Sequence, residues 1–462
     1  MEARALLTAL YRAAVAAVDP ALLVAEAVGK RGDAVFVRPP QTPSREFVFV
    51  PNRVALLALG KASVAMAHAA SHMLAGRITE ALVIAPEYSS FDGLPPNYRT
   101  MAATHPVPSA KSADAAAAAL SLVARLEAQD LLLVLLSGGG SALMCAPAEG
   151  IALEEKARTI SLLSAAGAPI RDINLVRGAL SRVKGGRLAL AAGGADVVTL
   201  VLSDLGDDGW HLVASGPSVG LPPSRREAYD ILSRYRLLPL IPAAVRGHLD
   251  APGRAEDTPL PGPLLGHRWS VLLGDIRTAL EGARHEAHRL GADARVIPEL
   301  LTGEARSAAR RLALAGAAAG NLVRRPGAPE RRLVTIFGGE TTVTVKGDGR
   351  GGRNRELALA AAAPIAGVPG ACILVAGTDG VDHEADAAGA FVDDTTLRRA
   401  EAQGLDAVRA LVENDTAPFF AALGDAFSPG PTGTNVGDVA FVLAPGGEPA
   451  GTKSLAMAAE ME

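Results

Sequence analysis

The chain is punctuated by short, wholly apolar runs, each ending in a glycine-rich or acidic turn and leading towards an alanine-rich stretch with helical spacing. VALLALG (54–60), ALVIAP (81–86), LLLVLLSGGG (131–140) and VVTLVLSDLG (197–206) form a first set. WSVLLGD (269–275), LVTIFGGETTVTV (333–345), ACILVAGTDG (371–380) and VAFVLAPG (439–446) form a second. Strands apolar on both faces that alternate with helices predict a parallel sheet covered on both sides, the α/β class. In the second set TTVTV alternates branched residues with no helix between it and LVTIF. That predicts a hairpin there and a mixed sheet.

Between about 220 and 268 the pattern gives way to SVGLPPSRRE, LLPLIP and RAEDTPLPGPLLG, where proline and glycine crowd together. A chain of 462 residues is too long for one hydrophobic core. The expected organisation is therefore an N-terminal, doubly wound Rossmann-like parallel-sheet domain over residues 1–240 and a C-terminal α/β domain with a mixed sheet over 241–462, with the connection in the Pro/Gly-rich stretch.

Charge narrows the partners. Lysine plus arginine number 45 against 49 acidic residues, a net −4 with no long run of one sign, which argues against a nucleic-acid groove or a basic membrane face. Cys145 and Cys372 are the two cysteines, so there is neither a disulfide framework nor a cysteine metal site, and a reducing cytoplasm fits. The longest aliphatic run, LLLVLL, is far short of the roughly 20 residues a membrane span needs. The N-terminal MEARALLTALYRAAVAAVDP has helical apolar spacing and carries Glu2 and Asp19, which reads as a first helix and not a signal peptide. Only seven of the 45 basic residues are lysines, so a lysine in a tight strand-to-helix turn stands out.

In open α/β sheets ligands bind beyond the carboxyl ends of the strands. That rule selects Gly60 and Lys61, Ser137 to Ser141, Asp204 to Asp208, Gly338 to Glu340 and Thr378 to Asp382. The turn Ser137, Gly138, Gly139, Gly140, Ser141 exposes backbone N–H groups suited to a phosphate or carboxylate. It equally suits a tight turn in which glycine only supplies unusual dihedrals. No lysine follows it as in a Walker A loop, and Leu143 occupies the place of a third fingerprint glycine. Lys61 suits a polyphosphate or is a solvated lysine at a helix start. Asp204, Asp207 and Asp208, with Asp379 and Asp382, suit Mg²⁺ ligation, proton abstraction or plain capping. His105, His211 and His383 lack any metal-ligand spacing, and no G-x-S-x-G elbow occurs.

The stretch VKGDGRGGRNRELALAAA (345–362) formally contains G-x-G-x-x-G through Gly347, Gly349 and Gly352. It is too charged for close pyrophosphate approach and reads as an anion loop. Arg353, at the helix junction, has the fork for a carboxylate or phosphate. Arg350 and Arg355 are expected to face solvent.

LGKAS, LLSGGGSAL, INLVRGALSRVKGGRLA, SDLGDD…ASGPSV, LTGEAR, GGETTVTVKGDGRGGRNRELALA, AGTDGVDHEADAAGA and GPTGTNVGD occur in the order found in glycerate kinases with a C-terminal MOFRL domain, which the chain closely resembles. The resemblance covers nearly the whole chain, with the MOFRL region at about 330–446. It implies ATP-dependent phosphorylation of D-glycerate, Mg²⁺ as cofactor and an active site in an inter-domain cleft. Lys61 and Arg353 match the family's catalytic lysine and arginine. Ser137, Gly138, Gly139, Gly140, Ser141, Glu340 and Asp379 are the expected nucleotide or substrate contacts, and Asp204 and Asp208 the expected metal ligands. The family favours the 2-hydroxyl as acceptor, and a homodimer is the expected assembly. Where the family more often has glutamine this chain has Arg355, His383 to Ala385 replace Gly-Pro-Thr, and Trp210 and His211 are unusual. Members labelled hydroxypyruvate reductases supply a second reading with NAD(P)H. Against it, Asp379 follows Gly352 by 27 residues, where ribose binding expects roughly 20.

Overall fold

A computed structural model of the protein describes residues 2–206, 209–220, 223–250, 266–323, 332–383 and 386–444. The chain divides into two compact units, Asp19–Asp275 and Met1–Val18 together with Ile276–Glu462.

The Asp19–Asp275 unit begins with a small antiparallel meander, β1 (Val28–Arg31), β2 (Ala34–Val37) and β3 (Phe47–Phe49). Its main sheet contains β4 (Val54–Leu59), β5 (Ile78–Pro86), β6 (Arg99–Ala103), β7 (Leu131–Leu136), β8 (Asp196–Leu202) and β9 (Arg268–Gly274). All six are parallel, in the order β6-β5-β4-β7-β8-β9. Every residue of β4 and β7 is buried, as their unbroken apolar sequences require. Each buried leucine there contributes roughly 1.5–3 kcal/mol relative to exposure. The chain leaves β4 towards β5 on one side and β7 towards β8 on the other, so the winding reverses between β4 and β7. That is the topological switch point, where such sheets bind ligands.

The other unit contains β10 (Asp293–Val296), β11 (Leu301–Glu304), β12 (Leu333–Thr342), β13 (Cys372–Gly377), β14 (Gly389–Asp393), β15 (Ala426–Phe427) and β16 (Asp438–Ala444). The order is β10-β12-β16-β13-β14-β15, with β11 also on β12. β12 is parallel to β10 and β11 and antiparallel to β16, so this sheet is mixed as expected. The expected hairpin is absent. β12 runs straight through Gly338 and Gly339 to Thr342, and its LVTIF half is already paired to β10 on one side and β16 on the other, which leaves TTVTV no free edge. Gly339 sits at φ +153°, where a Cβ would lie 2.1 Å from the Leu301 carbonyl oxygen.

The boundary expected at 240/241 falls instead at 275/276, with a second crossing at 18/19. β9 pairs along β8 and buries Val271 and Leu273, which holds residues 268–274 in the first unit. Helices Arg225–Arg234 and Ala243–Asp250, from the Pro/Gly-rich stretch, pack with helix Ile170–Ala179 around Ile231, Leu232 and Val245. Helix Ala3–Ala16 belongs with the later sequence, where the Tyr11 hydroxyl donates to the Gly377 carbonyl over 2.9 Å. Among the described residues no single helix is long and apolar enough to cross a membrane.

Candidate active site

Lys61 and the serine–glycine turn are adjacent at the switch point because they follow the neighbouring strands β4 and β7. The two turns interlock. Lys61 N–H donates to the Gly138 carbonyl over 2.9 Å, and Ala62 N–H donates to Ser137 Oγ over 3.0 Å. Gly60, at φ +128°, tolerates no side chain, since a Cβ there would lie 2.2 Å from Ser137 Oγ. Ser137 is thus buried and structural, holding the start of helix Ser63–Met73. Ser141 remains at the cavity wall, its hydroxyl 2.7 Å from that of Ser215.

Around the three glycines the neighbours are chemically informative. A Cβ on Gly138 would come 2.1 Å from Asp204 Oδ2, and one on Gly139 would sit 3.1 Å from the His105 ring and 3.2 Å from Lys61 Cγ. Lys61, His105 and Asp204 therefore surround one turn. Burial, then the Lys61 charge, holds the His105 imidazole below its usual range and keeps it neutral at pH 7. The helix after the turn is a single turn, Gly140–Leu143, so its dipole contributes little. Charge for an anion comes from side chains.

Beside this turn is a cavity of about 320 Å³ whose lining includes His105, Gly139, Ser141, Cys145, Lys156 and Arg177. Lys156 is 3% exposed, and its Nζ has no hydrogen-bond partner among the described residues. Lys184, fully buried, donates to the Gly140 carbonyl over 3.1 Å. Arg177 donates to Asn174 Oδ1 over 2.6 Å and to Ser215 Oγ over 3.3 Å. Burial first, then mutual repulsion among the cations, lowers Lys156 to about 8 and Lys184 to about 7. Sequence reasoning did not single out Lys156, Arg177 or Lys184. The available signals were the scarcity of lysine and the INLVRGALSRVKGGRLA motif.

In the other unit, helix Arg353–Ile365 starts beside the end of β12 and the start of β16. Arg353 Nε and Nη2 donate to the two oxygens of Asp438 over 2.6 and 3.1 Å, and Nη1 donates to Glu340 over 2.7 Å. A guanidinium has five N–H groups. These carboxylates take three, which pre-orients the fork and leaves two for a ligand. Burial opposes the Arg353 charge, but Asp438 and Glu340 outweigh it and raise its pKa. Asp382 caps the helix, accepting from the N–H groups of Asn354 and Arg355 over 2.9 and 3.0 Å. Its approach explains Gly352, where a Cβ would lie 2.3 Å from the Asp382 carboxylate.

Arg355 contradicts the expectation that it faces solvent. It is 1% exposed and bridges Asp382 at 3.1 Å and Asp386 at 3.0 Å, since two carboxylates and the Asp382 carbonyl engage each of its three side-chain nitrogens inside. Arg350 is exposed as expected. Asp379 closes an Asx turn with the Val381 N–H over 3.1 Å. The partners Asp438 and Asp386 were not anticipated, because each reaches its arginine only through tertiary packing.

The glycines of the formal G-x-G-x-x-G are explained by packing within the protein. A Cβ on Gly347 or Gly349 would lie 2.4 or 2.5 Å from the Glu413 backbone or Asp415 side chain. Bare backbone there meets protein, which fills the space a pyrophosphate would need. Asp208 lies outside the described residues, and among those described no group of three or more His, Cys, Asp or Glu converges as a metal site. Asp204, against Gly138, fits the one-carboxylate share that Mg²⁺ commonly takes from protein.

A doubly wound sheet with a cation at its switch point and a second, arginine-bearing unit define an α/β enzyme that handles anions. The chain matches a family described as "Domain of unknown function (DUF4147)" over residues 6–250 and the MOFRL family over residues 333–438. It is 35% identical over 431 residues to a glycerate 2-kinase of Pyrococcus horikoshii, covering 93% of this chain and 94% of that one. It is 36% identical to a putative hydroxypyruvate reductase of Agrobacterium vitis, covering 85% and 99%. The crystal structure of a glycerate kinase (EC 2.7.1.31) from Thermotoga maritima superposes with a TM-score of 0.79 at 35% identity, covering 95% of this chain and 98% of that one. The chain belongs to this MOFRL-type glycerate kinase family and is a kinase.

Proposed function

We propose that the protein transfers the γ-phosphoryl group of ATP to D-glycerate, and that the acceptor is the 2-hydroxyl, giving 2-phospho-D-glycerate and ADP. The observation that carries this reading is the convergence of Lys61, the Gly138–Gly140 turn and Asp204 at the switch point. Phosphoryl transfer is mostly positioning and charge neutralisation. Lys61 holds phosphate oxygens where negative charge builds up. Arg353, pre-oriented by Asp438 and Glu340, uses its remaining N–H groups for a second set of oxygens. Asp204 would hold Mg²⁺, which supplies further neutralisation of the phosphates. Lys61 belongs to the Asp19–Asp275 unit and Arg353 to the other.

Support for glycerate comes from the relatives' names, and the name of the Pyrococcus protein supports the 2-position. The competing NAD(P)H reading draws on the Agrobacterium name. The packed glycines of 347–352 weigh against it, since they give no room to a dinucleotide.

One assay tests all of this. D-Glycerate, ATP and Mg²⁺ are coupled through enolase and pyruvate kinase with phosphoglycerate mutase omitted. Pyruvate formed at the full rate of ADP release is expected. A signal that needs mutase assigns the 3-hydroxyl instead. NADH oxidation with hydroxypyruvate, and no ADP release with glycerate, would overturn the kinase reading.

A further inference from the structure

The cavity next to the glycine turn is lined by positive side chains without a carboxylate among its described lining residues. The charged side chains that line it are Lys156 and Arg177, with Lys184 buried nearby. No aspartate or glutamate is among them. Lys156 ends in the cavity wall, nine-tenths buried and more, without a hydrogen-bond partner among the described residues. An unpaired buried charge costs several kcal/mol, and an apolar side chain of similar length would avoid that cost. Among the described residues no protein group is bound to that ammonium, so nothing in their packing requires it. A ligand anion entering the cavity would satisfy it.

The geometry points to a receptor for the carboxylate of a small hydroxy acid, held by Lys156 and Arg177, with Ser141 and His105 beside its hydroxyl groups. A volume of about 320 Å³ lies at the lower end for ligand cavities. It suits a three-carbon acid and is too small for a whole nucleotide. Arg177 is already steadied by Asn174 and Ser215, so its fork is presented in one orientation to a planar carboxylate. Gly139 belongs both to this wall and to the turn against Lys61, which puts the hydroxyl end of such an acid beside the cation proposed to hold the phosphates. The identity of the acid as D-glycerate rests on the kinase reading. The carboxylate site does not.

The test is equilibrium calorimetry on the full chain, with D-glycerate, hydroxypyruvate, L-lactate, glycerol, inorganic phosphate and ATP titrated separately so that no turnover occurs. The variants are Lys156→Met, which keeps the length of the side chain, and Arg177→Lys. Wild type should bind at least one of the small acids and not glycerol. Each variant should lose about 10- to 100-fold of that affinity, the scale of a hydrogen bond to a charged group, with ATP binding unchanged. Ligand-free Lys156→Met should melt above wild type, which rules out misfolding as the cause of lost binding. Acid binding unaltered in both variants, a loss confined to ATP or phosphate, or no acid binding by wild type would each overturn the proposal. If wild type binds a small acid through Lys156 but shows no ADP release with glycerate, the carboxylate site stands and the kinase reading fails.

Discussion

Two groups of buried and half-buried cations occupy the two units, and the protein treats them in opposite ways. Arg353 and Arg355 are enclosed by Asp438, Glu340, Asp382 and Asp386, four carboxylates for two guanidinium groups. Lys156, Arg177 and Lys184 share a cavity wall and its surroundings with serine, asparagine, histidine and a thiol. Pairing fixes an arginine's orientation before any ligand arrives, at the expense of donors left for that ligand. Leaving lysines unpaired keeps donors available and destabilises the empty protein. Rigid positioning and ligand capture are thus assigned to different clusters.

The sharpest way to break this contrast is to unpair the balanced cluster. Asp382→Ala leaves Arg355 buried against one remaining carboxylate and removes the helix cap, so it should destabilise the protein by about 3–5 kcal/mol in urea titrations. The double change Asp382→Asn with Arg355→Gln should recover a large part of that loss. A single-variant loss below about 1 kcal/mol would show that water reaches Arg355 and that the pairing is worth no more than a surface ion pair.

Next in size is the effect on turnover. Lys61→Ala and Arg353→Ala should each lower kcat by at least about 10²-fold, as expected when a single stabiliser of transition-state charge is lost. Lys61→Ala should leave melting nearly unchanged. Arg353→Ala should lower it, because Asp438 and Glu340 then lose the cation they share. Full activity in either variant would remove that residue from the chemistry.

The unbalanced cluster predicts a pH dependence of opposite sense to that of buried carboxylates. Lys156 falls from 10.5 to about 8 and Lys184 from 10.5 to about 7 on folding. Between roughly pH 7 and 10 the unfolded chain therefore binds more protons than the folded one, and the ligand-free protein gains stability as pH rises. That gain disappears as pH falls back through the folded values. Lys156→Met should flatten the slope of melting temperature against pH. A slope identical to wild type would mean that Lys156 is hydrated and titrates normally.

The smallest expected effect concerns the acidic turn. Asp204→Asn keeps size and removes charge, so it should raise the Mg²⁺ concentration needed for half-maximal rate by several-fold without altering the fold. An unchanged Mg²⁺ titration would leave the metal to the nucleotide and water.

Much of the architecture was readable from local sequence because it depends on local properties. Unbroken apolar runs can be satisfied only inside a covered sheet, and the turns that follow β4 and β7 then lie side by side. The positions of Lys61 and the glycine turn were accessible for that reason, as was the start of the helix at Arg353. The hairpin expectation failed because pairing depends on which edges other strands have already filled. The boundary expectation failed because proline and glycine mark loops within a unit as readily as links between units. Burial of a charge was least visible of all. Lys156 and Arg355 carry the same formal charge as exposed residues, and only packing from distant segments decides that Arg355 meets two carboxylates while Lys156, within a cavity wall, meets none among the described residues. By itself the chain sequence determined the α/β class, most of the strands and the location of the turns at their carboxyl ends, since these follow from periodicity and backbone chemistry. Tertiary structure alone decided which cations are neutralised and which are left for a ligand, since that depends on the solvent and partners that folding removes or supplies.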